Sequence, residues 1–201
     1  MFAKLNDNEL EIASKLVFDG LSMAKKSMEQ ILQSPISIEK VDYSDTVKSV
    51  LPRYLQAEAQ TVHVIKTQLI GELKGISFLV FSDQEVKKVY EACLPGTIIN
   101  SSSPESKMMK MGFLTEVDNM MAAAVITEFS NFLGVEMYGN VPSLHVMKGE
   151  EVNDFLEKES GDFTSVIHFK AIFHGKELDI SPDFIWVFQE EFVNKIKAIV
   201  G

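Results

Sequence analysis

The chain presents the same order of predicted elements twice, and this repetition constrains its fold more than any other feature. Residues 78–81 (FLVF) and 185–188 (IWVF) match each other, and each stretch is followed by a predicted helix. Between the two copies, the segment 94–104 is rich in residues that break helices and strands. The whole 201-residue chain is therefore expected to be a single domain of two similar halves, at about 1–95 and 104–201, that arose by internal duplication.

Hydrophobic periodicity and the positions of helix breakers predict the elements of each half. The first half has a helix over 7–33 that Pro35 stops, a strand at 36–38, strands over 62–70 and 74–81, and a helix to 94 that Ser82 and Glu85 open as a capping box. The second half has a helix over 105–133 that Gly134 caps, strand residues around 135 and over 143–146, a short helix over 150–158, strands over 164–173 and 177–188, and a final helix to 200. The halves are expected to share one sheet, with the long helices on its surface.

The composition excludes several classes of function. The net charge is −10, and the 19 basic residues are scattered, with Arg53 the only arginine, so nucleic acid binding is disfavoured. No stretch is long and apolar enough to cross a bilayer, and residues 1–15 lack the pattern of a secretory signal. Cys93 stands alone and is expected to pack as a small buried side chain. A globular, cytoplasmic protein is predicted.

Glu116 and Asn119 form the pattern that points to chemistry. A Glu and an Asn three residues apart on a helix have β-carbons about 5–6 Å apart, so both side chains can address one ligand. A single water held in this way suggests hydrolysis without a metal, a thiolate or a triad. The same spacing recurs at 128/131, 150/153 and 191/194, but only the first copy is followed, after twenty-two residues, by a proline, Pro142.

With its surroundings from Gly112 to Pro142, this pattern resembles the CheC/CheX/FliY family, phosphatases of the phosphorylated chemotaxis response regulator CheY. A CheC-like member is what the sequence resembles. The family signature is an Asp or Ser, three residues, Glu, two residues, Asn, twenty-two residues and Pro. Glu116, Asn119 and Pro142 match it, whereas Gly112 stands at the opening position, so the polar support of an Asp or Ser is absent or replaced.

The resemblance implies both a fold and a reaction. The fold is α+β, with two αβ halves about a pseudo-twofold axis and two long helices on a mostly antiparallel sheet. The reaction is hydrolysis of the regulator's aspartyl phosphate, in which Asn119 orients the attacking water and Glu116 anchors the partner through the regulator's lysine. Mg²⁺ would be held by the regulator, so no cofactor or metal is expected on this chain. Pro142 is expected to be structural, because it fixes the turn into the strand beside the active helix.

Helical geometry at about 100° per residue divides the second long helix into two faces. The arc predicted to pack on the sheet contains Leu114, Val117, Met121, Val125 and Phe132. Glu116, Asn119 and Ala123 fall on the opposite side, flanked by Met120 and Ile126. We expect Met120 and Ile126 to touch the protein partner, and Ala123 to leave room for the partner's backbone.

The first long helix lacks the Glu and Asn pair. Matching its end near Pro35 to the end of the second helix places Lys15 and Phe18 at the two positions, and another register places Glu9 and Ile12 there. Neither pair can hold the water, because Phe18 and Ile12 have no polar group. The sequence therefore predicts one active site.

Two other classes of function remain open. The first is a non-catalytic adaptor that binds the CheD deamidase or a flagellar-switch protein, a reading that Gly112 and the missing first site favour. The second is a ligand sensor or an oligomerisation module, although nothing in the residues points to a small-molecule pocket. The four histidines show no metal-like spacing with one another or with Cys93, and no glycine-rich loop opens a helix in nucleotide-binding form.

Overall fold

The computed structural model describes residues 5–44, 60–161 and 167–200, and it has the α+β architecture that was expected. The helices within these ranges are α1 (Asp7–Leu32), α2 (Asp83–Cys93), α3 (Gly96–Ile99), α4 (Pro104–Leu133), α5 (Val152–Glu159) and α6 (Glu191–Val200). The strands are β1 (Ser37–Ser44), β2 (Thr61–Gly71), β3 (Gly75–Ser82), β4 (Met137–Gly139), β5 (Ser143–Lys148), β6 (Ile167–His174) and β7 (Asp183–Phe188). The predicted strand start at 164 lies outside the described residues. None of the helices in these ranges is long and apolar enough for a membrane span.

Local signals fix the ends of the two long helices. Asn6 caps α1 by accepting a hydrogen bond from the backbone N–H of Glu9 at 3.0 Å, and the Glu9 carboxylate accepts one in return at 2.8 Å. Ser103 caps α4 by accepting a hydrogen bond from the backbone N–H of Ser106 at 3.2 Å, with Pro104 in the first turn. Gly134 ends α4 in the left-handed conformation at φ 62°, which glycine adopts without steric penalty. The sequence therefore places both helices correctly.

The sheet has seven strands in the order β1-β6-β7-β3-β2, with β4 and β5 both paired to β2, and every pairing between them is antiparallel. The matching strands β3 and β7 lie side by side at its centre. The first strands of each half pair with a strand of the other half: β1 pairs with β6, and β4 and β5 both pair with β2. This exchange is what two halves about a pseudo-twofold axis would give, and the division at about 1–95 and 104–201 stays a prediction.

The predicted strand over 177–188 is too long. In the structure β7 begins only at Asp183, because a turn precedes it. Backbone hydrogen bonds between Gly175 and Ile180 close this turn. Within that turn Asp179 adopts a left-handed conformation at φ 49°. An aspartate tolerates that conformation better than most residues, and it cannot continue a strand.

The two faces of the sheet differ in what covers them. Alternate residues of β7 point to opposite faces, so that Phe184, Trp186 and Phe188 enter the core that also holds the buried sides of α1 and α4. Ile185 and Val187 face the other way, into a smaller apolar cluster. Because α1 and α4 lie on the first face, the outer side of α4 is left free for a partner.

The buried face of α4 changes direction along the helix, so the predictions for Ile126 and Phe132 are wrong. Ile126 is 7% exposed rather than outward, because β4 covers it: a β-carbon added at Gly139 would lie 3.2 Å from its Cδ1. On the other side Phe132, predicted to pack on the sheet, is 36% exposed. Phe129 takes the core position instead, with its ring centroid 5.6 Å from those of Phe188 and Phe192.

Phe129→Ala is expected to lower the free energy of unfolding by about 3–5 kcal/mol, because it leaves a cavity among the rings at the centre of the core. Phe132→Ala removes the same side chain three residues later on the same helix, where it is partly exposed, and is expected to cost less than about 1 kcal/mol. Urea unfolding of both variants gives the two values. Equal losses would contradict the assignment of Phe129 to the core.

Candidate active site

Glu116, Asn119 and Pro142 meet at one cavity. Glu116 and Asn119 are exposed on α4, and Pro142 is half-buried in the loop between β4 and β5. A cavity of about 250 Å³ is lined by Thr115, Glu116, Asn119, Gly139, Asn140, Val141 and Pro142. The spacing that singled these residues out in the sequence therefore corresponds to proximity in the fold.

The side chains of Glu116 and Asn119 are free to bind a ligand. Among the described residues, neither makes a hydrogen bond or an ion pair with a protein group. The neighbouring hydroxyl of Thr115 is engaged, because it donates to the carbonyl oxygen of Gly112 at 2.9 Å. The carboxylate and the amide are thus the two unengaged polar groups that α4 offers to the cavity.

The loop opposite α4 is attached to β2. Gly139 pairs with Leu69 and Ser143 with Lys66, so residues 140–142 form the connection between two strands on the same edge. The backbone N–H of Asn140 donates to the carbonyl oxygen of Gln68 at 2.8 Å. Proline has no N–H to contribute to a strand ladder and suits the residue just before β5. Pro142 thus lies at the predicted turn, while its structural role stays a prediction.

Gly112 lies one helical turn before Glu116 and faces open space. A β-carbon added there would have no heavy atom within 4 Å. The aspartate or serine of the family signature would therefore fit without displacing anything. Its absence removes one polar group from the edge of the site and leaves the helix geometry unchanged.

Asp118 is a residue that the sequence analysis missed. It is fully buried, and its Oδ2 accepts a hydrogen bond from the Thr67 hydroxyl of β2 at 2.6 Å, whereas Oδ1 has no partner among the described residues. Burial raises the pKa of this carboxyl to about 7, against the lowering effect of the Thr67 hydrogen bond. The helical arc that contains Val117 and Met121 also contains position 118, so the hydrophobic periodicity already indicated that Asp118 is buried.

Met120 and Ala123, which we expected to contact a partner, both lie on the exposed side of α4. Met120 is 37% exposed. Ala123 lines a second cavity, of about 390 Å³, which also shares Asn119 and Gly139 with the first. The two cavities thus lie next to each other along the helix, and the contact with a partner stays a prediction.

The structure decides the register between the long helices. A shift of 101 residues, which carries Leu32 onto Leu133, brings every buried residue of α1 onto a buried residue of α4. The same shift aligns Lys15 with Glu116 and Phe18 with Asn119. Lys15 pairs with Asp19 at 3.0 Å, and Phe18 is 57% exposed, so the first helix carries no equivalent pair.

The described residues around this site do not form one of the usual sets of metal ligands. Within the ranges that the structure describes, no group of three or more histidine, cysteine, aspartate or glutamate side chains is placed to hold a metal ion. The residues that line the smaller cavity also include no lysine, arginine or histidine.

The comparisons with known proteins identify the fold. The sequence matches no protein-family model, and no curated protein matches it. FliY of Thermotoga maritima superimposes with a TM-score of 0.66 at 17% identity over 96% of both chains. CheX of Borrelia burgdorferi, solved in a complex with CheY, BeF₃ and Mg²⁺, gives 0.59 at 14% identity over 87% of this chain and 97% of that chain. FliM of H. pylori, in a complex with FliG, gives 0.54 at 9% identity over 94% and 98%. The chain has the CheC/CheX/FliY fold, as its resemblance implied.

We expect the stability of the protein to depend on pH through Asp118. The pKa of an aspartate in an unfolded chain is about 3.9, so between roughly pH 4 and 7 the folded state retains a proton that the unfolded state has lost. The contribution of protonated Asp118 to the free energy of unfolding is fully present below pH 4 and is lost as the pH rises through 7. It is expected to fall by on the order of 2–3 kcal/mol between pH 5 and 8.

Urea unfolding at pH 5, 6, 7 and 8 measures this dependence. Asp118→Asn, which keeps an acceptor for the Thr67 hydroxyl but does not titrate, is the matched control and should lack that component of the pH dependence. The same slope in both proteins would show that Asp118 is not its source.

Gly112→Ala is expected to raise the free energy of unfolding by about 0.5–1 kcal/mol, because alanine restricts the unfolded chain and suits a helix interior. Gly20→Ala is the contrasting change in α1, where the new β-carbon would lie 2.7 Å from Cε1 of Phe129 and gives no such gain. Thermal or urea unfolding of the two variants tests both statements, and a loss of stability for Gly112→Ala would show that the space around it is filled.

Proposed function

We propose that this chain is a phosphatase of a phosphorylated CheY-type response regulator, with Asn119 and Glu116 as its catalytic residues. The observation that supports this most is the convergence of a free amide, a free carboxylate and Pro142 on one exposed cavity. The fold adds support, because CheX of this fold was solved in a complex with CheY. The response regulator is thus proposed as the partner.

In the proposed reaction Asn119 enters the acyl-phosphate pocket of the regulator. Its amide both donates and accepts hydrogen bonds, so it can fix a water in line with the bond between phosphorus and the aspartyl oxygen. The water oxygen bonds to phosphorus, the aspartyl carboxylate leaves, and the proton of the water passes to the phosphate or to solvent. Mg²⁺ held by the regulator would neutralise the phosphoryl oxygens.

Glu116 is proposed to anchor the complex. It lies one turn before Asn119 on the exposed side of α4, and it has no lysine or arginine partner among the described residues. A lysine of the regulator would supply one. Ala123, one turn beyond Asn119, has no side chain beyond the β-carbon, so the partner's backbone can approach the helix there.

A second candidate function is that of an adaptor that binds without catalysis. Two features favour it: Gly112 departs from the family signature, and Lys15 and Phe18 leave the first long helix without a second site. FliM of H. pylori, which shares this fold, was solved in a complex with FliG. A flagellar-switch protein or CheD is the partner proposed for this reading.

Asn119→Ala is expected to lower the rate of accelerated dephosphorylation by about 10²-fold or more, because the water is no longer oriented. The assay follows the loss of phosphate from a CheY-type regulator of the same organism, phosphorylated by a small phosphodonor, with Mg²⁺ present. Asn194→Ala is the matched control: Asn194 has the same Glu-x-x-Asn spacing on the exposed side of α6, outside both cavities, and the variant should keep full activity.

The same preparations separate the two functions. Glu116→Ala is expected to raise the KM more than it lowers kcat, as befits an anchoring residue. Binding of the wild-type protein to the regulator in its BeF₃-bound form, without any turnover of phosphate, would establish the adaptor. Unchanged acceleration by Asn119→Ala would refute the catalytic role of that residue.

A further inference from the structure

The hydrogen bond between Thr67 and Asp118 joins the two walls of the candidate site. Asp118 precedes Asn119 on α4, which forms one wall. Thr67 lies on β2 between Lys66, which pairs with Ser143, and Gln68, which accepts the N–H of Asn140. The bond therefore connects the helix that carries Asn119 to the strand that holds the 140–142 loop.

The packing around Thr67 extends this connection to the loop itself. A β-carbon added at Gly139 would lie 3.2 Å from Cγ2 of Thr67, so the strand before the loop rests against this side chain. Thr67 also lines the larger cavity together with Asn119 and Gly139. A displacement of Thr67 relative to Asp118 would change the distance between Asn119 and the loop.

The equivalent position on the other long helix has no polar group. The shift of 101 residues between the long helices makes Val17 of α1 the counterpart of Asp118. Val17 is fully buried. A helix at this position therefore packs on the sheet without a carboxyl group.

The strand position has an apolar counterpart as well. When the match of 78–81 to 185–188 is extended by one residue, Ser77 aligns with Phe184. Thr67 is the cross-strand neighbour of Ser77, and Ala171 is the cross-strand neighbour of Phe184, so Ala171 is the counterpart of Thr67. Ala171 is fully buried. The counterparts of Asp118 and Thr67 are thus both apolar, and Val17 lies on the same helix as Lys15 and Phe18, which replace the Glu and Asn.

Attaching a helix to a strand through a buried carboxyl group is energetically unfavourable. Oδ1 of Asp118 has no partner among the described residues, and an unsatisfied buried acceptor is destabilising, whereas replacing both members of a polar pair by apolar groups is often neutral or stabilising. Apolar contacts are also non-directional, while a hydrogen bond fixes both a distance and an orientation. The advantage of the pair is therefore geometric.

We propose that Thr67 and Asp118 are positioning residues, whose hydrogen bond holds Asn119 at a fixed distance from the 140–142 loop. They act through Asn119 and touch neither the water nor the phosphoryl group. This role rests on the proposed phosphatase function for its catalytic consequence. The geometric part, the coupling of α4 to the loop, can be measured without any activity.

The double variant Thr67→Ala/Asp118→Val tests the proposal, because it gives these two positions the residue types of their counterparts, Ala171 and Val17. It is expected to keep a melting temperature at least equal to that of the wild type. Backbone amide exchange at Asn140 is expected to be at least about tenfold faster, since that N–H donates across to β2 within the coupled loop. The kcat is expected to fall by about tenfold or more, with KM within about twofold, because a small misplacement of an orienting group affects mainly the chemical step.

Conservative variants distinguish positioning from mere stability. The single variant Asp118→Asn keeps an acceptor for Thr67, so it should have the slow exchange at Asn140 and the kcat of the wild type. Thr67→Val keeps the shape and loses only the donor, so it should show the same faster exchange and lower kcat, with a lower melting temperature because the buried Asp118 carboxyl has lost its partner. It also serves if the double variant does not fold.

The outcomes separate this proposal from the proposed function. A wild-type protein without phosphatase activity refutes the function, while the exchange at Asn140 still decides whether the pair couples helix and loop. Unchanged exchange in the double variant overturns the positioning role. Faster exchange with an unchanged kcat in an active protein overturns its catalytic consequence.

Discussion

The packing of α4 against the sheet and α1 determines which of its residues are available to a partner. Phe129 stacks among the rings of β7 and α6, and Gly20 of α1 lets the two long helices come close at this ring. With that side of α4 buried, helical geometry directs Glu116 and Asn119 outward. The cavity exists because the connection from β4 to β5 returns beside the same stretch of helix. Core and site are therefore consequences of one arrangement.

The pseudo-symmetric halves show how little the scaffold demands of a site. Both long helices bury equivalent positions, yet one presents Glu116 and Asn119 and the other presents Lys15 and Phe18. Because the fold needs only the buried positions, the outer positions can change without loss of stability. Fold similarity to FliY, CheX and FliM therefore fixes the architecture, and the outer face of α4 is where function must be argued.

Much of this was accessible from the sequence, for reasons that are local. Periodicity and capping residues gave the long helices and the central strands, and the spacing of Glu116, Asn119 and Pro142 gave their convergence. The errors came from tertiary contacts that no local rule contains. Ile126 is buried because a strand from further along the chain covers it, and Asp118 was overlooked because a carboxylate is ordinarily expected at the surface.

The charges of the site restrict what it can accept as substrate. The smaller cavity offers a carboxylate and no basic side chain, on a chain with a net charge of −10. A free acyl phosphate would meet the repulsion of Glu116 and no compensating cation, since phosphoryl transfer depends on positive charge at the transferring group. A regulator that carries its own Mg²⁺ and lysine would bring that charge with it. In the proposed reaction the regulator therefore supplies the positive charge, and Asn119 places the water.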